Sequence, residues 1–344
     1  MKQNLCILCL ASIAFYWAIS SAADGTSSIK PIDKNTSLEE ARIALGAAPL
    51  IHHMDAFDAE LAVVGEQLII QGKANYKEFK GKRISSYFVC TDCHNLGLET
   101  LELTSVSQQD RLDYAVQNKI PFLPGSTLFG VYNRTSFYND DYYKKYGNLV
   151  FGARDSLRNA IQLCAEYCAS GRTLLDWELE AMMHYFKREE LTLKDLQLTT
   201  DEMDLVSTAS NKTAKIKDAA LSVLNDHYVT AYRAHFPGAM NENKRTYGAT
   251  GNALNGKKIY ESSCMFCHRN ARVTYLNLEN DVLSGSFLWN NKEGYGDKSI
   301  YQVIRWGTYP IAGRKQYMPL YSTEKLTDGQ IEDLLAYIKQ LANK

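Results

Sequence analysis

Net charge is nearly absent from this 344-residue chain, in which 38 Lys and Arg stand against 39 Asp and Glu. No run of basic residues points to a nucleic-acid groove or an anionic membrane surface, so neither is an expected partner. Long apolar runs are missing too. The stretch from Leu5 to Ile19 covers 15 residues, short of the roughly 18 or more that a membrane span needs, and no other segment qualifies. Preceded by Lys2 and followed by "SSAAD", it reads as an export signal with cuts expected after Ala22 or Ala23. The mature chain is therefore expected in the periplasm, without membrane insertion, and Cys6 and Cys9 leave with the leader. About 320 residues then remain, more than one compact core usually holds, which predicts two domains.

Six cysteines stay in the mature chain: Cys90, Cys93, Cys164, Cys168, Cys264 and Cys267. Three disulfides would be the default for an exported protein. The spacing argues otherwise, because "CTDCH" (Cys90, Cys93, His94) and "CMFCH" (Cys264, Cys267, His268) repeat one pattern. A zinc site would need further Cys or His ligands at comparable spacing, and a redox dithiol would need a βαβ frame. Neither is present. The remaining chemistry is covalent haem attachment, in which two thiols add across the haem vinyl groups and the following His lies under the iron. Two motifs predict two covalently bound haem c groups, with His94 and His268 as proximal ligands.

The flanks of the second motif agree. Leu254, Ile259 and Tyr260 fall on a short helix leading into it, and Ile331, Leu334, Leu335, Ile338 and Leu341 line one face of a closing helix that starts at Thr327 or Asp328. Residues 250–344 resemble a single-haem cytochrome c domain, and that resemblance implies Met318, of a Met-Pro pair, as the distal ligand of the second haem. The first half repeats the unit with insertions: "AVVGEQLIIQGK" (62–73) resembles an opening helix, and "DWELEAMMHYFK" (176–187) a closing one in which Tyr185 matches Tyr337. The expected fold is all-α, two tandem cytochrome c-like domains each with one haem. The expected organisation is a signal peptide at 1–23, an N-terminal extension at 24–59, a first haem domain at 60–199, a polar linker with one helix near Ala219 to His235 at 200–249, and a second haem domain at 250–344.

No Met-Pro precedes the closing helix of the first half. The candidates to face its iron are Cys164, Cys168, Met182, Met183 and His184. Leu157, Ala160, Ile161, Cys164 and Cys168 keep helical spacing, which places both thiols on one buried face, while Leu179, Met182, Met183 and Phe186 form an apolar stripe expected to pack. His52 and His53 are expected at the surface. The tyrosine-rich insert at 129–147 is expected to cover the first haem.

The segment "CAEYCASGRTLLDWELEAMMHYFK" resembles the dihaem thiosulfate dehydrogenases, and more loosely the dihaem subunit of sulfur-oxidising complexes. That resemblance implies Cys164 as a distal thiolate and Arg172 as its companion in catalysis on a small sulfur anion; apart from the resemblance, Arg154, Arg158 and Arg172 are candidates to supply positive charge. The chain departs from the family pattern at Ala160 and Cys168, where an Arg and a Ser are expected. The function read from all this is electron transfer to a redox partner protein, another cytochrome or an oxidase. His/Met ligation raises a haem's potential and an anionic thiolate lowers it, so electrons are expected to run from the first haem to the second. The alternatives are a pure carrier or respiratory-complex subunit without substrate, and a dihaem peroxidase with an open distal position.

Overall fold

A computed structural model describes residues 31–237, 240, 242–269, 281–294, 298–307 and 318–343, with helix backbone alone at 281–283. Ile32–Lys344 forms one compact unit. Its helices are α1 (Leu38–Ala44), α2 (Ala59–Gln71), α3 (Gln108–Asn118), α4 (Tyr143–Tyr146), α5 (Leu149–Ala153), α6 (Leu157–Leu163), α7 (Asp176–Arg188), α8 (Thr200–Ala209), α9 (Ala214–Asp226), α10 (Ala253–Ile259), α11 (Met265–His268), α12 (Asp281–Asn290), α13 (Ile300–Trp306) and α14 (Asp328–Ala342). Among the described residues there is no β-strand, only isolated bridges, so the fold is all-α as expected.

Local chemistry sets the ends of the helices that matter most. Asp58 caps α2 by accepting from the Leu61 amide at 2.9 Å, and Gly72 stops it in a left-handed turn at φ 71° whose amide returns to the Leu68 carbonyl. Thr327 and Gln330 form a reciprocal capping box at the start of α14. In α7 the buried Glu178 accepts from the Leu175 amide at 2.9 Å, and Lys187 and Arg188 occupy the last turn, where positive charge suits the helix dipole.

Two helix crossings organise the unit, and they use the same device. Gly65 of α2 lets the backbone of α7 approach so closely that an added Cβ would run into the Ala181 carbonyl, and Gly256 of α10 does the same against the Asp333 carbonyl of α14. Tyr185 and Tyr337 each lie four residues beyond that contact, so the match made between these tyrosines also aligns the crossings. Around the first crossing Leu68, Ile69, Ala181, Met183 and Phe186 are buried together. Around the second, Ile259, Tyr260, Ile331, Leu335 and Ile338 form a core that also takes in Leu112 and Phe122 from α3 and the loop after it.

That sharing holds the two halves of the unit together. Lys258 of α10 pairs with Asp113 of α3 at 3.0 Å, Gln108 donates to the Thr323 carbonyl at 2.8 Å, and the Phe122 amide donates to the Ser262 carbonyl at 2.9 Å.

The stretch 200–249 differs from the expectation of one helix in a polar linker. Its described residues hold two α-helices, α8 and α9, the second ending at Asp226 short of His235, and their Val206, Ala209, Ala220 and Leu224 are buried against Leu38 and Ala41 of α1 and against Leu191, Leu193 and Leu196. The Thr199–Glu202 capping box that opens α8 is written in the sequence. The apolar face behind it is built largely from small and widely spaced side chains, which is why the segment reads as polar.

The crossing glycines can be tested directly. Gly256→Val puts a branched side chain against the α14 backbone and is expected to cost about 1–3 kcal/mol. Gly97→Ala, where an added Cβ meets nothing within 4 Å, should stay within about 0.5 kcal/mol of the parent. Urea midpoints measure both, and equal midpoints would contradict the crossing.

Candidate functional site

Cys90, Cys93 and His94 come to one wall of a cavity because the motif closes on itself. The Val89 amide donates to Asp92 at 2.8 Å, and the amides of Cys93 and His94 return to the Cys90 carbonyl at 3.2 and 3.0 Å. Behind the imidazole runs a loop that only glycine permits: a Cβ on Gly125 would lie 2.5 Å from the His94 ring. The next residue fixes the ring. His94 Nδ1 lies 2.6 Å from the Ser126 carbonyl, and since a carbonyl only accepts, Nδ1 carries the proton and Nε2 keeps its lone pair. Burial holds His94 below the usual histidine range, so it is a neutral imidazole ready to ligate.

The opposite wall is built by α6 and α7. Leu157, Ala160 and Ile161 lead into a π turn, Cys164–Cys168, closed by the Ala169 amide on the Cys164 carbonyl at 2.8 Å. Such turns are frequent at functional sites because they re-aim side chains. Cys164, Ala165, Cys168, Met182 and Phe186 all line the cavity, and Tyr138, Tyr142 and Tyr146 of the tyrosine-rich insert line it with them. The lining is mostly apolar, with Leu68, Ile84, Phe88, Leu128 and Val131 closing the remaining sides. A mostly apolar cavity with two free thiols and a pinned imidazole on one wall has the donor set and lining that suit a haem attached at Cys90 and Cys93.

The two thiols of the π turn differ. Tyr146 Oη lies 3.2 Å and Tyr138 Oη 3.8 Å from the Cys168 sulfur. Hydrogen bonding from Cys164, then from Tyr146, with the charge of Lys145 and a bond from Tyr138, holds Cys168 below the usual thiol range. Cys164 is pushed up by its bond to Cys168 and by burial.

The second motif follows from helix continuity. α10 runs through a second π turn, Tyr260–Cys264, straight into α11, which carries Cys267 and His268. Burial pushes Cys264 up to about 12. His268 and Met318 are both half-buried, and the segments 270–280, 295–297 and 308–317 between them lie outside the described residues. Pro319 and Leu320, just past Met318, line the first cavity. The two motifs are neighbours: after burial, Cys267 is the strongest influence raising Cys93. Tyr321 joins them, with its hydroxyl bonded to Ser263 and donating to the Phe122 carbonyl at 3.1 Å.

Other sequence candidates fall elsewhere. Arg172 is not on the cavity wall. It holds the buried Glu178 through two bonds of 2.7 and 2.6 Å and donates to the Lys82 and Arg83 carbonyls, so it fastens the start of α7. Arg154 pairs with Asp140 and Asp155, and Arg158 with Glu180. His184 takes the Asp58 amide at 3.1 Å and, like Met183, does not line the cavity, whereas Met182 does. His52 is buried instead of exposed, 2.6 Å from the Tyr132 carbonyl. Arg134 and Lys325 do line the cavity. Nothing in "YNRTS" or "TEKLTD" singles them out, because their role depends on contacts between distant parts of the chain.

Residues 251–338 match the family model described as cytochrome c oxidase, cbb3-type, subunit III. This stretch is a c-type cytochrome domain. The chain is accordingly an electron-transfer haem protein that carries covalently bound haem c. No curated protein and no solved structure matches it. Among the described residues no helix is long and apolar enough to cross a membrane.

One buried ion pair supports the His94 wall. Glu99 accepts from Arg111 at 3.0 Å, from Asn95 at 2.9 Å and from the Thr127 amide at 3.2 Å. Although burial opposes it, Arg111 and the neighbouring Lys325 bring its carboxyl down to about 2 from an ordinary 4.5. A carboxyl whose folded value is depressed contributes stability in full above about 4.5 and loses it as pH falls toward about 2. Glu99→Gln should therefore flatten the fall in urea midpoint across that window. It should also cost about 3–5 kcal/mol at neutral pH, where Arg111 loses its partner. Parallel acid profiles for the two proteins would contradict the pairing.

Proposed function

We propose that the chain is an exported dihaem c-type cytochrome that accepts electrons at the Cys90/Cys93 site and passes them through the Cys264/Cys267 site to a redox partner protein. Its haem-bearing segments are 60–199 and 250–344, with the α8–α9 hairpin in the connecting stretch 200–249. The observation that carries this reading is the cavity on which Cys90, Cys93 and a neutral, Nδ1-anchored His94 converge. A bound haem supplies the one-electron chemistry of its iron.

The residues supply everything else. His94 presents Nε2 from a ring that Ser126 and Gly125 hold in place. Cys164 is the distal ligand we assign to the first site. Its thiol is hydrogen-bonded to Cys168 alone among these groups, while Cys168 is further occupied by Tyr146 and Tyr138, and a bound iron would compensate the charge of a thiolate. His268 and Met318 are the ligands of the second site. Thiolate on one side and thioether on the other give the two sites different potentials, lower at Cys164 and higher at Met318, which sets the direction of transfer. The closeness of Cys93 to Cys267 keeps the path short.

Oxidation of a sulfur anion such as thiosulfate at the first site is the second reading, favoured by the two adjacent thiols at the cavity wall. Electron transfer ranks above it because Arg154, Arg158 and Arg172 are each paired with carboxylates and none of them lines the cavity.

Low-temperature EPR of the oxidised protein tests the assignment. Two low-spin ferric signals are expected, one of thiolate type and one of His/Met type. Cys164→Ala should remove the thiolate signal and raise the potential of that site, while Cys168→Ala leaves both in place. Loss of the signal in Cys168→Ala alone would move the ligand by one turn, and a thiolate signal that survives both substitutions would contradict the assignment.

A further inference from the structure

The cavity wall holds two buried cations that neither proximal nor distal ligation explains. Arg134 and Lys325 are each only 7% exposed, and both line the cavity. Arg134 donates to the carbonyls of Thr127 at 2.6 Å and Phe129 at 3.0 Å. Its guanidinium lies 4.6 Å from the centre of the Tyr232 ring, and the Lys325 ammonium lies 5.2 Å from that same centre. Among the described residues no carboxylate forms an ion pair with either cation. Glu99, whose charge both feel, is already held by Arg111.

Buried charge without a counter-charge is costly, and native proteins avoid it or supply a partner. Here Arg111, Arg134 and Lys325 face Glu99 and Glu324, and Glu324 is itself bonded to the His235 amide and ring, so positive charge is in excess at this part of the cavity. Burial and the nearby Arg111 push Lys325 down to about 7. Both cations lie within electrostatic reach of His94, so they belong to the same chamber as the proximal imidazole. A haem c carries two propionate carboxylates on the edge away from its vinyl-derived thioethers. A carboxylate is the chemistry that an excess of buried positive charge calls for.

We propose that Arg134 and Lys325 form a carboxylate-binding pair for the propionates of the haem attached at Cys90 and Cys93. The proposal rests on the dihaem reading. It also gives the second half of the chain a role in the first site, because Lys325 precedes α14 in the turn after Met318. The same pair of cations could serve a diffusible oxyanion, and the test separates the two sources.

The experiment uses the full-length, haem-loaded protein. Lys325→Gln and Arg134→Gln each remove a cation that balances a propionate, which favours the ferric state. The midpoint potential of the first haem should fall in both while that of the second is unchanged, and the propionate bending band in resonance Raman should shift. Lys325→Arg should restore the parent potential. Added sulfate or phosphate should leave the spectrum of the parent protein unaltered.

A saturable spectral response of the parent to sulfate, abolished in Lys325→Gln with the propionate band unmoved, would assign the cations to a diffusible oxyanion and overturn the proposal. Unchanged potentials and propionate bands in both variants of a two-haem protein would overturn it while leaving the dihaem reading intact. Fewer than two haems in the parent would remove that reading itself. Should Lys325→Gln fail to fold, Arg134→Lys carries the test: it keeps the charge and loses the two-pronged planar donor, so the propionate band must shift while the potential holds, and an unmoved band overturns the pair.

Discussion

The hydrogen bond from His94 Nδ1 to the Ser126 carbonyl is the contact on which the rest of the first site depends. A haem-ligating imidazole must present one nitrogen and hold its plane, and a carbonyl on the other nitrogen does both by choosing the tautomer. Everything around that bond serves it. Gly125 admits the loop that carries the carbonyl, the Gly125 amide ties the loop back to Cys93 at 2.8 Å, and the Glu99–Arg111 pair braces the chain beyond Asn95. The cavity is then the volume between this fixed wall and the π turn at Cys164–Cys168.

Around it the fold repeats a single device. Gly65 and Gly256 sit where an opening helix crosses a closing one, and the register is the same in both halves. A glycine at such a crossing brings two backbones together and aims the chain leaving the opening helix at the haem motif. In the second half that chain is a π turn of five residues, Tyr260–Cys264. In the first half a longer excursion separates Gly72 from Cys90 and still returns to the same place, with the Ile84 amide on the Gly72 carbonyl at 2.8 Å. Because α3 and Phe122 pack into the second core and Lys325 reaches the first cavity, the halves share side chains at the place where the two motifs approach.

Much of this was legible in the sequence, for physical reasons. The C-x-x-C-H spacing is imposed by the porphyrin, not by the protein, so it survives any divergence of the surrounding chain. The closing helices announce themselves because α7 and α14 bury one face each and must keep a helical period. The aromatic content of the insert at 129–147 marks it as packed chain, and its Tyr138, Tyr142 and Tyr146 line the cavity. What escaped depends on contacts between distant residues. Arg172 lies near Cys164 in sequence yet is taken by Glu178, whereas Arg134 and Lys325, far from both motifs' immediate flanks, reach the chamber. His52 looked exposed within a polar cluster, but the Tyr132 carbonyl gives it a buried partner. α8 was missed because a face built largely of Ala and Val is too weak a signal without the α1 surface it covers.

The central claim is that both motifs carry a haem, the first as well as the one inside the matched cytochrome domain. The most direct measurement is the intact mass of the purified chain after acid-acetone extraction, set beside a pyridine haemochrome titration of the same sample. The account predicts two covalently bound haems per chain, with Cys90→Ala/Cys93→Ala removing one of them. A parent chain carrying a single haem, unaffected by that double substitution, would contradict it.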